Sequence, residues 1–236
     1  MGDLDILGFL LWYFAFLFSL TAHEAAHAWA AYRGGDPTAY LGGQVTLNPL
    51  PHIQREPLGT VLVPLFTFFR NGEMMGWASA PYDPLWADRQ PRRAAWMAAA
   101  GPASNLAIAA TVFLLLKVLL EAGVLAVPPR WRWSPSRLVV PAWQGAPLWA
   151  LGACQLASIL LHLNLLLFCF NLLPLPPLDG SGILAGLFPR QLGGLFRALR
   201  ENPMFAILGL LVAWYFFGRM YGPIFLLVIL LLYTPL

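Results

Sequence analysis

Residues 4–32 read LDILGFLLWYFAFLFSLTAHEAAHAWAAY, and this stretch decides both the fold class and the chemistry. Roughly 20 apolar residues suffice to cross the hydrocarbon core as a helix, and this segment is longer. Beyond its N-terminal edge its only histidines and carboxylates are His23, Glu24 and His27. Ionisable groups at membrane depth are costly, so they mark a functional site by default. Their spacing supplies the chemistry. Histidines four apart share one helix face, so two imidazoles can converge on a single zinc, while Glu24, one position on, is the candidate general base. One intramembrane histidine alone could be a satisfied helix polar group; the three together argue against that.

Hydrophobic residues make up 59% of the chain and charged ones 11%, with a mean hydropathy of +0.66. No ordinary soluble domain of this length carries such a composition, so the chain reads as an integral membrane protein. The first helix is too long, and carries its motif too near its end, to be a cleaved signal peptide. Asp3 and Asp5 stand where such a peptide needs positive charge, so the helix is expected in the mature chain. Cys154 and Cys169 fall in one predicted helix, about 22 Å apart at 1.5 Å per residue, too far to pair. The net charge is +3, and every basic residue except Lys117 is an arginine. Nearly all lie in loops, a signature of membrane topology rather than nucleic-acid affinity.

Further apolar segments fall at 58–69, 94–120, 147–173, 203–217 and 220–236. Segment 58–69 is short for a span. Gly218-Arg219 and Gly222-Pro223 interrupt the last apolar region, which reads as two short spans or one bent element, two spans being the preferred reading. Residues 34–57 and 71–93 lack helical periodicity, and residues 42–47 read as a turn into a short strand. The expected fold is an all-α polytopic membrane protein with about five or six membrane segments, one of them re-entrant. A small β-strand or hairpin element is expected near the active site. Without internal repeat or appended soluble domain, residues 1–236 form one domain, with a catalytic core at about 4–188 and C-terminal helices at about 201–236. Trp131, Trp133 and Trp143 beside Arg130, Arg132 and Arg137 look like an interfacial belt.

A zinc site that keeps a position open for water needs a third protein ligand. The best candidate is Asp179, in Asn171-Leu172-Leu173-Pro174-Leu175-Pro176-Pro177-Leu178-Asp179-Gly180. The prolines stop a regular helix, and irregular backbone at membrane depth is tolerated only where it is buried in protein or lines a wet cavity. The competing role for Asp179 is to cap the helix that begins at Gly180. His52 and His162 are not expected to be ligands. Gly101-Pro102 and Asn105 read as packing residues opening the third helix, and Asn164 as a polar cross-link between helices.

Four stretches together resemble the site-2 protease family of zinc intramembrane metalloproteases. They are residues 23–27, Gly35-Asp36-Pro37-Thr38 with Thr46-Leu47-Asn48-Pro49-Leu50, Gly101-Pro102-Ala103-Ser104-Asn105, and residues 171–180. The resemblance covers nearly the whole catalytic core and suggests a compact subgroup without appended soluble domains. It implies one Zn2+ per chain, held by His23, His27 and Asp179, with Glu24 as catalytic base. Asn171 matches a family asparagine that faces the reacting carbonyl. The implied activity is hydrolysis of peptide bonds in transmembrane protein substrates, with membrane lipid as surroundings and no nucleic-acid partner. Departures from the pattern at Gln54-Arg55-Glu56 and in residues 78–90 bear on substrate recognition rather than on the metal site. The alternative is a non-catalytic zinc-binding scaffold that retains membrane helices. A metal transporter would need polar residues on several more helices, which segments 94–120 and 203–236 hardly offer.

Topology can be tested on the same residues. If 58–69 crossed fully, the ends carrying His27 and Asp179 would emerge on opposite sides. A re-entrant segment brings them together, and it places Arg33, Arg55, Arg70, Arg89, Arg92, Arg93, Arg190, Arg197 and Arg200 against Arg130, Arg132, Arg137 and Arg219. That asymmetry satisfies the positive-inside rule with the active site nearer the cytoplasm. A strand at 44–47 would offer an edge to an unwound substrate, with Gln44, Thr46 and Asn48 walling a path for water. Heavy arginine usage with almost no lysine points to a bacterial or archaeal inner membrane.

Overall fold

The computed structural model describes residues 6–235; Asp3 and Asp5 lie outside them. In chain order the elements are α1 (Ile6–Arg33), α2 (Thr38–Leu41) and α3 (Leu50–Arg55), then a π-helical turn (Leu58–Leu62) running into α4 (Val63–Asn71). There follow α5 (Pro84–Arg89), α6 (Pro91–Glu121), β1 (Leu125–Ala126), β2 (Val140–Pro141), α7 (Leu148–Asn171), α8 (Asp179–Leu187), α9 (Gly193–Glu201) and α10 (Pro203–Tyr233). Four stretches, Ile6–Arg33, Pro91–Glu121, Leu148–Asn171 and Ile207–Tyr233, are long and apolar enough to cross a membrane; Leu58–Asn71 is apolar but shorter.

Lipid tails are as apolar as leucine, so helices in a bilayer associate through close packing of small residues and through interhelical polar contacts. The inward faces follow that rule: Ala15, Ala28 and Ala31 of α1 and Ala95, Ala98 and Ala109 of α6 are buried, whereas Phe14, Trp29, Leu114 and Val118 face outward. One core joins Trp12, Phe16 and Leu20 of α1 to Ile159 and Leu163 of α7 and to Met74. A second joins α6, α7 and α10 through Leu116, Leu161, Leu165, Phe217 and Phe225.

Hydrogen bonds fix which helix ends lie together. Where α1 ends and α6 begins, the Gly34 carbonyl accepts from Trp86 Nε1 (3.0 Å) and Arg93 Nη1 (3.2 Å). At the opposite end Tyr233 donates to the Leu138 carbonyl (2.7 Å), and Lys117 donates to the Leu231 carbonyl (3.2 Å) while pairing with Glu121 (3.2 Å). Residues 34–90 therefore leave and return at one end. Within them α4 runs out until Phe68 meets Phe9 edge to face and Phe69 stacks on it, with ring centroids 5.3 and 5.9 Å away. The chain then comes back beside α4, the Trp77 amide donating to the Gly59 carbonyl (3.2 Å) and the Met75 amide to Thr67 Oγ1 (3.0 Å).

Four expectations are corrected. Residues 44–47 form no strand: 45–47 are bends, and local bonds take the Gln44 amide and the Thr46 and Asn48 side chains. The Gln44 amide closes α2 on the Ala39 carbonyl (2.9 Å), Thr46 Oγ1 accepts from the Asn48 amide (3.1 Å), and Asn48 Oδ1 accepts from the Leu50 amide (3.0 Å). The antiparallel pair β1–β2 lies instead in the loop beyond the far end of α6. The C-terminal apolar region is one helix with Pro223 inside it. Phe217, Tyr221 and Phe225 stack successively across the Gly-Pro interruption, at 5.2 and 5.5 Å between centroids, and Tyr221 Oη donates to the His162 carbonyl (3.1 Å). Arg219 accordingly sits mid-helix, over the Tyr215 ring, and Arg70 lies towards the Phe9 end rather than with the other arginines of its expected group. Finally, Gly101-Pro102 lie inside α6, which opens at Pro91.

Candidate metal centre

His23 and His27 stand one turn apart on the inward face of α1, 5% and 8% exposed, with their Nε2 atoms 2.9 Å apart. Asp179, the first residue of α8, brings Oδ2 to 3.2 Å from His23 Nε2 and 3.3 Å from His27 Nε2. A proline-rich turn holds it there. The Leu175 amide bonds the Leu173 carbonyl (2.8 Å), the Leu178 amide bonds the Leu175 carbonyl (2.9 Å), and Ser181 Oγ donates to the Leu178 carbonyl (2.7 Å). Gly180 lets this turn fold back tightly: a β-carbon there would stand 2.3 Å from the Leu172 carbonyl oxygen.

The protonation of each ring follows from its other nitrogen. His27 Nδ1 donates to the Met97 carbonyl (2.7 Å), and His23 Nδ1 to Asn105 Oδ1 (2.6 Å). Both Nε2 atoms of the neutral rings thus present lone pairs to each other and to a carboxylate oxygen. Three converging lone pairs repel one another unless a cation lies among them. Asp179 Oδ2 is buried with no hydrogen-bond partner, as a ligand atom kept for a metal would be. The donor atoms all lie within 4.8 Å of one another. Two imidazole nitrogens and one carboxylate oxygen are a set that suits zinc with a coordination position left over, and orienting acceptors on the outer nitrogens are the usual accompaniment. Gly101 keeps the space open, since a β-carbon there would stand 2.3 Å from His27 Nε2 and 2.6 Å from His23 Nε2.

Glu24 is also buried, at 5%, close enough for its charge to act on His27; among the described residues no hydrogen bond holds its carboxylate. Asn171 ends α7 and its Nδ2 turns back to the Leu167 carbonyl (3.1 Å), so no hydrogen bond among the described residues joins it to the ligand trio. His52 reaches the Thr46 carbonyl (3.2 Å), His162 meets Tyr221, and both cysteines are free. The two regions that depart from the family pattern meet each other: Arg55 Nε donates to Ser79 Oγ (3.2 Å), which donates to Glu56 Oε1 (2.7 Å). Sequence reasoning missed Met97, whose contribution is a backbone carbonyl invisible in residue identity. It took Asn105 for a packing residue, although a polar amide in an apolar helix was a signal of a buried partner.

Among curated relatives, "Putative zinc metalloprotease YwhC" of Bacillus subtilis is 38% identical over 176 residues, 72% of this chain and 66% of that protein. "Putative zinc metalloprotease Rip2" of Mycolicibacterium smegmatis is 29% identical over 176 residues, 75% of this chain and 56% of the relative. Its Mycobacterium tuberculosis H37Rv namesake is 30% identical over 212 residues, 87% of this chain and 69% of the relative. The chain thus spans about two thirds or less of the length of the first two. No solved structure matches it. A family model matches residues 11–214, a stretch that contains α6 and α7 whole, most of α1, the beginning of α10 and all three candidate ligands, and on that match the chain, an integral membrane protein, belongs to peptidase family M50, the family its four motifs resemble.

Proposed function

We propose that this protein is a zinc-dependent endopeptidase that cleaves transmembrane protein substrates within or at the edge of the bilayer. The convergence of His23 Nε2, His27 Nε2 and Asp179 Oδ2 inside a bundle of apolar helices carries this reading. Zinc bound there supplies Lewis acidity to the scissile carbonyl and to water. His23, His27 and Asp179 hold it, with Met97 and Asn105 fixing the rings. Glu24 takes the proton of the attacking water and returns it to the leaving amine, so the peptide C–N bond breaks with no net change at the carboxylate. Asn171 donates a hydrogen bond to the carbonyl oxygen as it gains negative charge, a contribution of about 3 kcal/mol in other enzymes. Its Nδ2 has a second hydrogen for this beside the one given to the Leu167 carbonyl.

The arrangement of helix ends supports a re-entrant Leu58–Asn71, because the chain leaves α1 and enters α6 at the same end. The site then lies towards the end bearing Arg33, Arg89, Arg92 and Arg93, which the positive-inside rule assigns to the cytoplasm of a bacterial or archaeal cell. Gln44, 3% exposed with Oε1 unpartnered, remains a candidate wall of a water path to that side. A helix-retaining scaffold would have no use for Glu24 beside the ligands, and nothing in the geometry favours it.

The test is zinc content and cleavage of a generic single-span substrate by purified wild-type and Glu24→Gln protein in detergent. Zinc in both, near one per chain, with cleavage by wild type alone, is the expected result. Equal cleavage by the two removes Glu24 from the mechanism, and absence of zinc from both overturns the reading.

A further inference from the structure

Asn164 and Ser19 share no hydrogen bond with the ligand trio, but with Asn105 they form a chain of buried polar groups whose direction is fixed. All three are fully buried, on α7, α1 and α6 respectively. A backbone carbonyl can only accept, so each such contact orients the group that reaches it. Asn164 Nδ2 faces the Leu160 carbonyl (2.9 Å) and Ser19 Oγ (2.8 Å), and Ser19 Oγ in turn donates to the Ala15 carbonyl (2.7 Å). Asn164 must therefore present its oxygen elsewhere, and that oxygen accepts from Asn105 Nδ2 (2.8 Å). Asn105 Nδ2 also meets the Ser19 carbonyl (3.3 Å). With both amide hydrogens directed away, Asn105 has only Oδ1 to offer His23 Nδ1, at 2.6 Å.

We propose that Asn164 is a positioning residue: through Asn105 it imposes the tautomer of His23 that keeps Nε2 bare and aimed at the metal. If the Asn105 amide turned over, its NH2 group would face Nδ1, the ring proton would move to Nε2, and the ligand would be blocked. The inference rests on the metal-site reading, but the tautomer itself can be read without metal. The arrangement also spans three helices, so the orientation of a ligand on α1 depends on the registration of α6 and α7.

The experiment is nitrogen NMR of metal-free, histidine-labelled full-length protein in detergent, with His23 assigned by its loss in a His23→Asn variant, paired with zinc retention against a chelator. Wild type shows His23 protonated at Nδ1, whether or not a second proton takes the metal's place among the Nε2 atoms. Asn164→Leu, which removes the oxygen, shifts His23 towards a form bare at Nδ1 and lowers zinc retention about 10-fold or more, the range found when orienting partners of ligands are removed. Asn164→Asp restores both, because a buried carboxyl stays protonated and reproduces the donor and acceptor of the amide. Ser19→Ala, which leaves the Leu160 carbonyl as anchor, moves the same signal less and serves where Asn164→Leu fails to fold. An unchanged His23 pattern in both Asn164→Leu and Ser19→Ala overturns the proposal. Absence of zinc from wild type together with loss of the Nδ1 proton in Asn164→Leu overturns the metal reading and not this one.

Discussion

Gly101 packs against His27 with no space between them: a β-carbon at position 101 would lie 2.3 Å from the Nε2 that faces the other ligands. The wall opposite the ligands is therefore bare backbone of α6. Gly101→Ala must push both imidazoles out of the positions at which they meet Asp179. Overpacking of this kind costs about 1–3 kcal/mol in ordinary cores. The expected outcome is a folded protein with zinc retention at least about 10-fold below wild type, read by metal analysis after dialysis against a chelator. Full zinc occupancy in this variant would mean that the rings can move aside without penalty.

Asp179→Asn keeps the size of the side chain and removes its charge. An amide oxygen is a poorer zinc ligand than a carboxylate, so retention falls by at least the factor of about 10–100 that loss of a mere orienting partner costs. Stripping zinc from wild type should abolish cleavage and adding it back should restore cleavage, whereas Asp179→Asn should need a large excess of metal. A variant that holds zinc as tightly as wild type would assign Asp179 to capping α8 instead.

The ligands were legible in sequence for a simple reason. His23, Glu24 and His27 are polar groups with helical spacing in an apolar run, and Asp179 closes a proline-rich turn that cannot face lipid. The single α10 was not legible, because its continuity through Gly222-Pro223 is set by the ring stack from Phe217 to Phe225 and by His162 on a different helix. Nor was the absence of a strand at 44–47, where the Gln44 amide closes α2 and the side chains of Thr46 and Asn48 turn back to the Asn48 and Leu50 amides. The identity of Asn105 announced a buried polar contact but not its partner, since His23 lies 82 positions away in the chain.

Asp36, outside the spanning helices and 1% exposed, ties the end of α1 to the segment before α5. Burial pushes its carboxyl up, but hydrogen bonds from the Thr38 amide (3.0 Å), Thr38 Oγ1 (2.5 Å) and the Asp83 amide (2.8 Å) outweigh this and hold it below the usual carboxylate range. A group depressed in the folded state contributes stability that is complete above its unfolded value, about 3.9, and is lost as pH falls through the folded value. Asp36→Asn should therefore lower the unfolding temperature near pH 7, with the gap to wild type closing on the acid side of about pH 4. A gap independent of pH would show that the carboxylate charge is not what these donors hold.

Tyr221 Oη lies 2.9 Å from His162 Nδ1 and donates to the His162 carbonyl at 3.1 Å, and it does so beside Pro223, where α10 loses a backbone donor. Tyr221→Phe keeps the ring stack and removes only the hydroxyl. Leaving a buried ring nitrogen without its partner costs about 1–3 kcal/mol. The same helix touches the turn that carries Asp179, since a β-carbon at Gly209 would stand 2.1 Å from the Pro176 carbonyl oxygen. That contact is twelve residues, about 18 Å, from Tyr221, so loosening the helix at its centre should leave the turn in place. The expected result is a lower unfolding temperature with zinc content unchanged. Loss of zinc together with stability would instead mean that α10 moves as one rigid body and braces Asp179 along its whole length.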